Sequence, residues 1–393
     1  MAGDNIDLDE RASLCALNRI FGFEPKIALA LIDAFGSGKA LFSASEQEIS
    51  EALGPFSKYK GKIRESAFES AAMELESLKA KGYGFSCLGE RGYPPLLAEC
   101  ADSPLGLYFK GESLPEEVFS GDVRKVAVVG TRNITSYGKE WCRRIVETLS
   151  TAKDKPLIVS GLAIGVDTVA HKTALDSGLS TVGVMATGID KVYPVRNKGL
   201  ADEMSGTEGC ALVSDYPPGT DAMPLNFIRR NRIIAGICEA TILVESKIKG
   251  GGMITARLAS SYDREVFALP GRVDDPFSQG CNLLIRQNIA EPIGDLSTLS
   301  ERLGLGKPAK RKEADFLKAV SDKYEGEMDE AGLSLIKSIA SLVKKRRGIS
   351  MDEICQEKHL TFSTLSYYVN LLECDGFINV DLLQRCYHNT GQN

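Results

Sequence analysis

Residues 125–161 read KVAVVGTRNITSYGKEWCRRIVETLSTAKDKPLIVSG. Two short β-branched apolar runs, KVAVVG (125–130) and LIVSG (157–161), flank a helical segment that Thr135 or Ser136 can cap. Neither run alternates apolar with polar residues, so a strand made from either is buried on both faces, the mark of a parallel sheet covered by helices. The same pattern repeats outward in TVGVMATG (181–188), ALVSDYP (211–217), ATILVES (240–246) and EVFALPG (265–271), with helical stretches between most of these runs. The expected fold class is α/β: a Rossmann-like, doubly wound, mostly parallel sheet.

This domain is expected to span 83–300, with 83–121 as an irregular lead-in carrying one or two edge strands. Residues 1–82 show short helical patterns separated by glycine and no strand pattern, as in a helix-hairpin-helix or SAM-like domain. Its turn FGFEP (21–25) has Glu24 where such hairpins need a second glycine, so packing or partner contact is expected there rather than a phosphate. FGSGKAL (35–41) imitates a nucleotide-binding P-loop but fails: Asp33 replaces the first glycine, Ala40 replaces the Mg²⁺-binding hydroxyl, and a helix precedes it. Residues 301–330 read as a charged, glycine-bearing linker, and 331–393 as a winged helix. In that last domain Ser350 and Glu353 form a capping box, and Thr361 opens a third helix stopped by Gly376. That third helix has no Lys or Arg and carries Glu373 and Asp375, which favours protein contact over a DNA groove.

A chain of 393 residues implies two to four domains. With 43% hydrophobic and 25% charged residues, and no apolar run near the ~18 needed for a membrane span, a soluble protein with no membrane partner is expected. The N-terminus MAGDNIDLDERA lacks signal-peptide features, which leads to a cytoplasmic expectation. Ten cysteines without a C-x-x-C pair suggest buried thiols, and histidines only at 171, 359 and 388 argue against a metal site. A net charge of −6 excludes a surface wrapped everywhere by nucleic acid but leaves room for a local, salt-sensitive basic patch.

Ligands of open parallel sheets bind beyond the carboxyl ends of the strands, and the unusual segments fall there. Gly130-Thr131-Arg132 follows the first run, Ser160-Gly161 closes the second, and Lys247, Lys249 and Gly250-Gly251-Gly252 follow 240–246, before a helix expected near Thr255. Glycines allow close backbone approach and successive N–H donors, and arginine offers a fork for phosphate. PLNFIRRNRIIAG (224–236) adds a basic cluster: Phe227, Ile228, Ile233, Ile234 and Ile237 are expected to line a buried helix face, leaving Arg229, Arg230, Asn231 and Arg232 at an exposed N-terminal end. The competing reading of each loop is a tight turn, and of the cluster a set of surface ion pairs. Asp167 and His171, at i and i+4, are read as a structural hydrogen-bonded pair rather than an acid/base or metal site. No G-x-G-x-x-G follows the first strand, so no dinucleotide or other cofactor is expected. Several anion sites on one edge with Phe227 as a stacking face suit single-stranded nucleic acid.

The series VAVVGTR, VSGLAIGVDTVAH, TGIDKVYPVRN, RRNRIIAG, LVES with GGGMITA, ALPG and GCNLLIR resembles the DNA-processing protein A family (DprA, also called Smf) over about residues 85 to 295. The resemblance implies a cytoplasmic bacterial protein, not an enzyme, that binds and protects single-stranded DNA, forms a homodimer through the Rossmann-like domain, and helps load the RecA recombinase during natural transformation. It places Gly130, Thr131 and Arg132 in a first anion loop, Ser160 and Gly161 in a second, and Asn231 and Arg232 in the central basic motif. Ile164 and Ile228 depart from the family pattern, whereas the glycine before its YP motif is kept as Gly188. The expected DNA-binding set is thus Gly130, Thr131, Arg132, Ser160, Gly161, Phe227, Arg230, Asn231, Arg232, Lys247, Gly250, Gly251, Gly252 and Thr255. Two alternatives remain: a nucleotide monophosphate phosphoribohydrolase, opposed by the absence of Asp or Glu from MITARLASSY (253–262), and a winged-helix regulator.

Overall fold

A computed structural model describes residues 6–119, 121–306, 314–346, 348–381 and 383–388. The chain forms two compact units, Met1–Ala309 and Lys310–Asn393. The first holds a nine-stranded sheet: β1 Gly84–Cys87, β2 Gly106–Lys110, β3 Lys125–Val129, β4 Leu157–Ser160, β5 Thr181–Val184, β6 Ala211–Ser214, β7 Ala240–Leu243, β8 Glu265–Ala268 and β9 Glu291–Pro292. Their order is β1-β2-β6-β5-β4-β3-β7-β8-β9. From β6 to β9 every pairing is parallel, with Val126 of β3 level with Ile158 of β4 and Ala240 of β7. The lead-in supplies β1 and β2, which extend one edge antiparallel. The fold is the α/β, Rossmann-like one.

The apolar runs are continuous because both faces are covered. Val126, Val128, Ile158 and Ile242 pack on one side against the helices Ser136–Ser150 and Val166–Asp176, through Cys142, Ile145, Leu149, Ala170 and Ala174. Ala127, Val129, Val159 and Leu243 point the other way, against Ile233, Ile234 and Ile237 of the helix Pro224–Ile237 and Met253, Ala256 and Ala259 of the helix Gly251–Ser261. Burying each large apolar side chain contributes about 1.5–3 kcal/mol, so alternate residues hold alternate layers.

Among the described residues, five helices precede the sheet: Leu8–Phe21, Pro25–Phe35, Gly38–Ser43, Glu46–Leu53 and Glu65–Ala80. They are not a separate body. Leu14, Cys15 and Ala16 share a core with Leu162, Met185, Met204 and Leu212, and the Asn18 amide donates to the Asp215 carbonyl at 3.1 Å. The boundary expected at residue 82 is therefore no break in packing. In the P-loop look-alike, the N–H groups of Gly38 and Lys39 donate to the Glu10 carboxylate at 2.8 and 2.6 Å, so the chain's own anion fills that helix start.

The second unit contains the helices Ala314–Tyr324, Glu330–Lys345, Met351–Lys358 and Phe362–Cys374 and a sheet of β10 Ile349–Ser350, β11 Ile378–Val380 and β12 Arg385–His388, ordered β10-β12-β11. The Ser350–Glu353 capping box forms, and Thr361 caps the helix that follows it. The expected linker at 301–330 is corrected: Val320 and Tyr324 are buried in the core of this unit. Residues 307–313 of that span lie outside the described residues. No described helix is long and apolar enough to cross a membrane. All ten cysteines are unbridged, and only Cys355 and Cys374 are not buried.

Candidate nucleic-acid interface

The chain lays down β3, β4, β5 and β6 to one side of β3 and then crosses to place β7 on its other side. The loops after β3 and β7 must diverge, and a crevice opens at the carboxyl ends of the strands. Here it is a cleft of ≈ 590 Å³. It is lined by Gly130, Thr131, Arg132 and Asn133 after β3, by Lys247, Lys249, Gly250, Gly251 and Gly252 after β7, and by Phe227, Ile228, Arg230 and Asn231 of the helix Pro224–Ile237.

Glycine is required where the loops after β3 and β7 meet. A Cβ on Gly252 would lie 2.7 Å from Leu243 Cδ1 and 3.0 Å from Gly130 Cα, and one on Gly130 would lie 2.5 Å from Val166 Cγ2. The two loops are tied by the Thr131 N–H, which donates to the Glu245 carbonyl at 2.8 Å. The Glu245 carboxylate in turn accepts from the Thr135 N–H at 2.9 Å and from the Thr135 hydroxyl. The helix expected to begin near Thr255 begins at Gly251, with Thr255 buried on its inner side, and no side chain caps it at Gly250. The Met253 N–H turns back to the Gly250 carbonyl at 3.2 Å, which leaves the N–H groups of Gly251 and Gly252 as the donors this helix start can offer to an anion in the cleft.

Cations lie on aromatic rings along the rim. The exposed Arg132 guanidinium sits 4.6 Å from the Phe227 ring centroid, and Tyr193 packs on the same ring at 5.5 Å. The Lys247 ammonium lies 4.9 Å from the ring centroid of Phe277, which also lines the cleft. Such stacking holds each charge in place without neutralising it.

The basic helix is not exposed as expected. Arg230 is 3% exposed, and its guanidinium donates to the carbonyls of Gly161, at 2.5 Å, and Val184. Burial, with Arg132 adding repulsion and Asp167 opposing, pulls its pKa down to about 10, which leaves a permanent cation beneath the cleft at neutral pH. Arg232 is further removed. It pairs with the buried Asp215 carboxylate at 2.6 Å, donates to the Asp102 carbonyl and does not line the cleft. Ile228, expected inside, is 49% exposed at the rim.

Two more expected contacts lie in the interior. The Ser160 hydroxyl donates to the Val128 carbonyl at 2.7 Å, and Gly161 is the seat of Arg230. The helix face of Asp167 and His171 is structural, though the two are not partners. Asp167 accepts from the Ala163 N–H at 3.2 Å, with burial raising its pKa against the pull of Arg230, while His171 Nδ1 bonds the Thr181 hydroxyl at 2.7 Å. The other expected residues, Gly130, Thr131, Arg132, Phe227, Arg230, Asn231, Lys247, Gly250, Gly251, Gly252 and Thr255, all line the cleft. Tyr193, Lys249 and Phe277 line it as well. Lys249 belongs to the segment already read with Lys247 and the glycines, Tyr193 follows the third apolar run and was open to the same reasoning, and nothing local marks Phe277.

Fold and site together define a Rossmann-like protein with a cationic, aromatic-walled cleft at its topological switch point. The chain belongs to the DNA recombination-mediator protein A family, whose model matches residues 84–304. It is 40% identical over 195 residues to the DNA processing protein DprA of Streptococcus pneumoniae, covering 50% of this chain and 66% of that protein. It is 39% identical over 203 residues to Protein Smf of Escherichia coli, covering 51% and 52%. The X-ray structure of DprA from Streptococcus pneumoniae superposes with a TM-score of 0.61 at 29% identity, over 76% of this chain and 99% of that one. The sequence matches to these two relatives thus span between 52% and 66% of the relatives' own lengths.

Proposed function

We propose that the cleft binds single-stranded DNA and that the protein acts as a recombination mediator, protecting the strand and helping to load RecA during natural transformation. In this reading it works in the cytoplasm as a homodimer formed through the Rossmann-like unit, and the second unit contacts protein. The observation that carries the reading is the row of Arg132, Phe227 and Tyr193, guanidinium on ring on ring, beside a glycine-bearing helix start. It offers alternating sites for phosphates and base faces. The one carboxylate among the lining residues, Asp167, is buried, which disfavours a sugar-cleaving role.

Anisotropy titrations of labelled oligo-dT, with duplex of equal length as control, test the reading across a salt series. Single-strand preference is expected, and Arg132→Ala should weaken it and lower the salt slope by about 0.7. Absence of binding at low salt would overturn the proposal.

A further inference from the structure

Residues 54–64, GPFSKYKGKIR, form an irregular segment between the helices Glu46–Leu53 and Glu65–Ala80. Tyr59 and Ile63 anchor it in a core with Leu17, Phe21, Leu31 and Leu41, and the Tyr59 ring lies 4.4 Å from that of Phe21. With these two positions pinned inward, Lys58, Lys60, Lys62 and Arg64 are all exposed, and Gly61 at φ +68° permits the turn between them. Phe56 stands 98% exposed beside them. In a chain of net charge −6 this is a dense cationic stripe with an uncovered aromatic ring.

The stripe is fastened to the cleft. Glu24 takes the Lys58 ammonium at 2.9 Å and accepts the Tyr59 hydroxyl, contacts that hold its carboxyl below the usual range. Its neighbour Phe23 lies under the Arg229 guanidinium, 3.9 Å from the ring centroid. Arg229 belongs to the helix whose Phe227 and Ile228 line the cleft, so a run of contacts, Lys58 to Glu24 and Phe23 to Arg229, leads from the stripe to the helix at the rim. Among the described residues Lys60, Lys62 and Arg64 enter no ion pair, and Lys62 rests over the Tyr59 ring at 5.1–5.2 Å with Lys58. The Glu24 departure from a phosphate-binding hairpin therefore has a use: it organises cations instead of meeting a phosphate with its own backbone.

We infer that this stripe is a second contact for single-stranded nucleic acid, taking the phosphates of a strand that leaves the cleft past Arg229, with Phe56 stacking a base. The inference rests on the cleft reading above and adds a length requirement to it: a short strand fills the cleft alone, and a longer one reaches the stripe. Alternating cations and an exposed ring suit a flexible strand better than a duplex, whose bases are not available for stacking.

The test compares full-length wild type, K60A/K62A/R64A, Phe56→Ala and Arg132→Ala on labelled oligo-dT of about 6 and about 30 nucleotides. The changed side chains are exposed, and thermal melts check that folding is intact. For the long oligonucleotide the triple variant should lower the salt slope by about 2, roughly 10- to 100-fold in affinity near 0.1 M salt, and Phe56→Ala should weaken binding several-fold, about 5 or more. For the short one both should match wild type, while Arg132→Ala weakens binding at either length. A triple variant that binds the long strand like wild type, with Arg132→Ala defective, would overturn the stripe and leave the cleft. Equal losses for both lengths would show a nonspecific charge effect and also overturn it. Wild type that binds neither oligonucleotide would remove the cleft reading and this one together.

Discussion

Replacing Arg232 with alanine removes one half of a buried ion pair. Its side chain is 10% exposed and that of Asp215 is 3% exposed, with 2.6 Å between nitrogen and oxygen. The variant strands the Asp215 carboxylate and leaves the Asp102 carbonyl without its guanidinium donor, and breaking such a pair costs about 3–5 kcal/mol. Burial already holds the Asp215 carboxyl above its usual range despite the attraction of Arg232, so loss of the arginine raises it further. A carboxyl whose folded pKa is raised binds its proton more tightly in the folded state, so its stabilising contribution is kept at low pH and lost as pH rises through the folded pKa. The penalty of Arg232→Ala is therefore greatest near pH 8 and shrinks as the pH falls to about 4. Urea unfolding followed by the single tryptophan, Trp141, measures it as a lower midpoint at unchanged slope. Adding Asp215→Asn should recover part of the loss, because the stranded charge is gone. A variant of wild-type midpoint that has lost oligonucleotide binding would refute the reasoning, since Arg232 would then face ligand rather than Asp215.

Phe227→Ala should weaken binding to single strands by about 1–3 kcal/mol in anisotropy titrations, with a melting temperature close to wild type. Gly252→Ala should destabilise the fold by about 1–3 kcal/mol in thermal melts, because the added methyl meets Leu243 and Gly130 at 2.7 and 3.0 Å. Burial, with help from the charge of Arg230, depresses the His171 pKa to about 3, against an ordinary value of 6.5. The stability this neutral imidazole gives is whole above pH 6.5 and declines towards pH 3 by about 1.4 kcal/mol per unit, a slope that His171→Gln should remove from the pH profile of urea midpoints.

The sheet was legible because β3 to β8 are apolar at consecutive positions, a pattern that two-sided burial alone requires. The loops were legible for a related reason: Gly130 directly follows β3, and Gly250 to Gly252 open the helix that the segment after β7 leads into, where a parallel sheet brings its ligand. The roles of the arginines were not legible. Helical periodicity places residues around an axis, but Pro224–Ile237 is covered on more than one side by segments distant in sequence. Arg230 meets carbonyls 69 and 46 residues away, and Arg232 meets one 130 residues away. An arginine read as a surface charge thus became a core residue through partners that no local window contains. The N-terminal helices misled in the same way. Their amphipathic pattern shows that a face is buried, and does not show that the cover is Leu162, Met185 and Leu212 of the sheet domain.

The seat of Arg230 carries one more consequence. A Cβ at position 161 would lie 2.5–2.6 Å from three atoms of the guanidinium, so a single methyl group there forces the charge to shift without altering any ionisable residue. Position 161 is in effect a volume control on the electric potential of the cleft. Surface chemistry that blocks lysines leaves the guanidinium in place, while an uncharged substitution one layer below moves it. The net charge of a variant is thus a poor guide to its attraction for a polyanion, because steric room in the interior decides where the field originates.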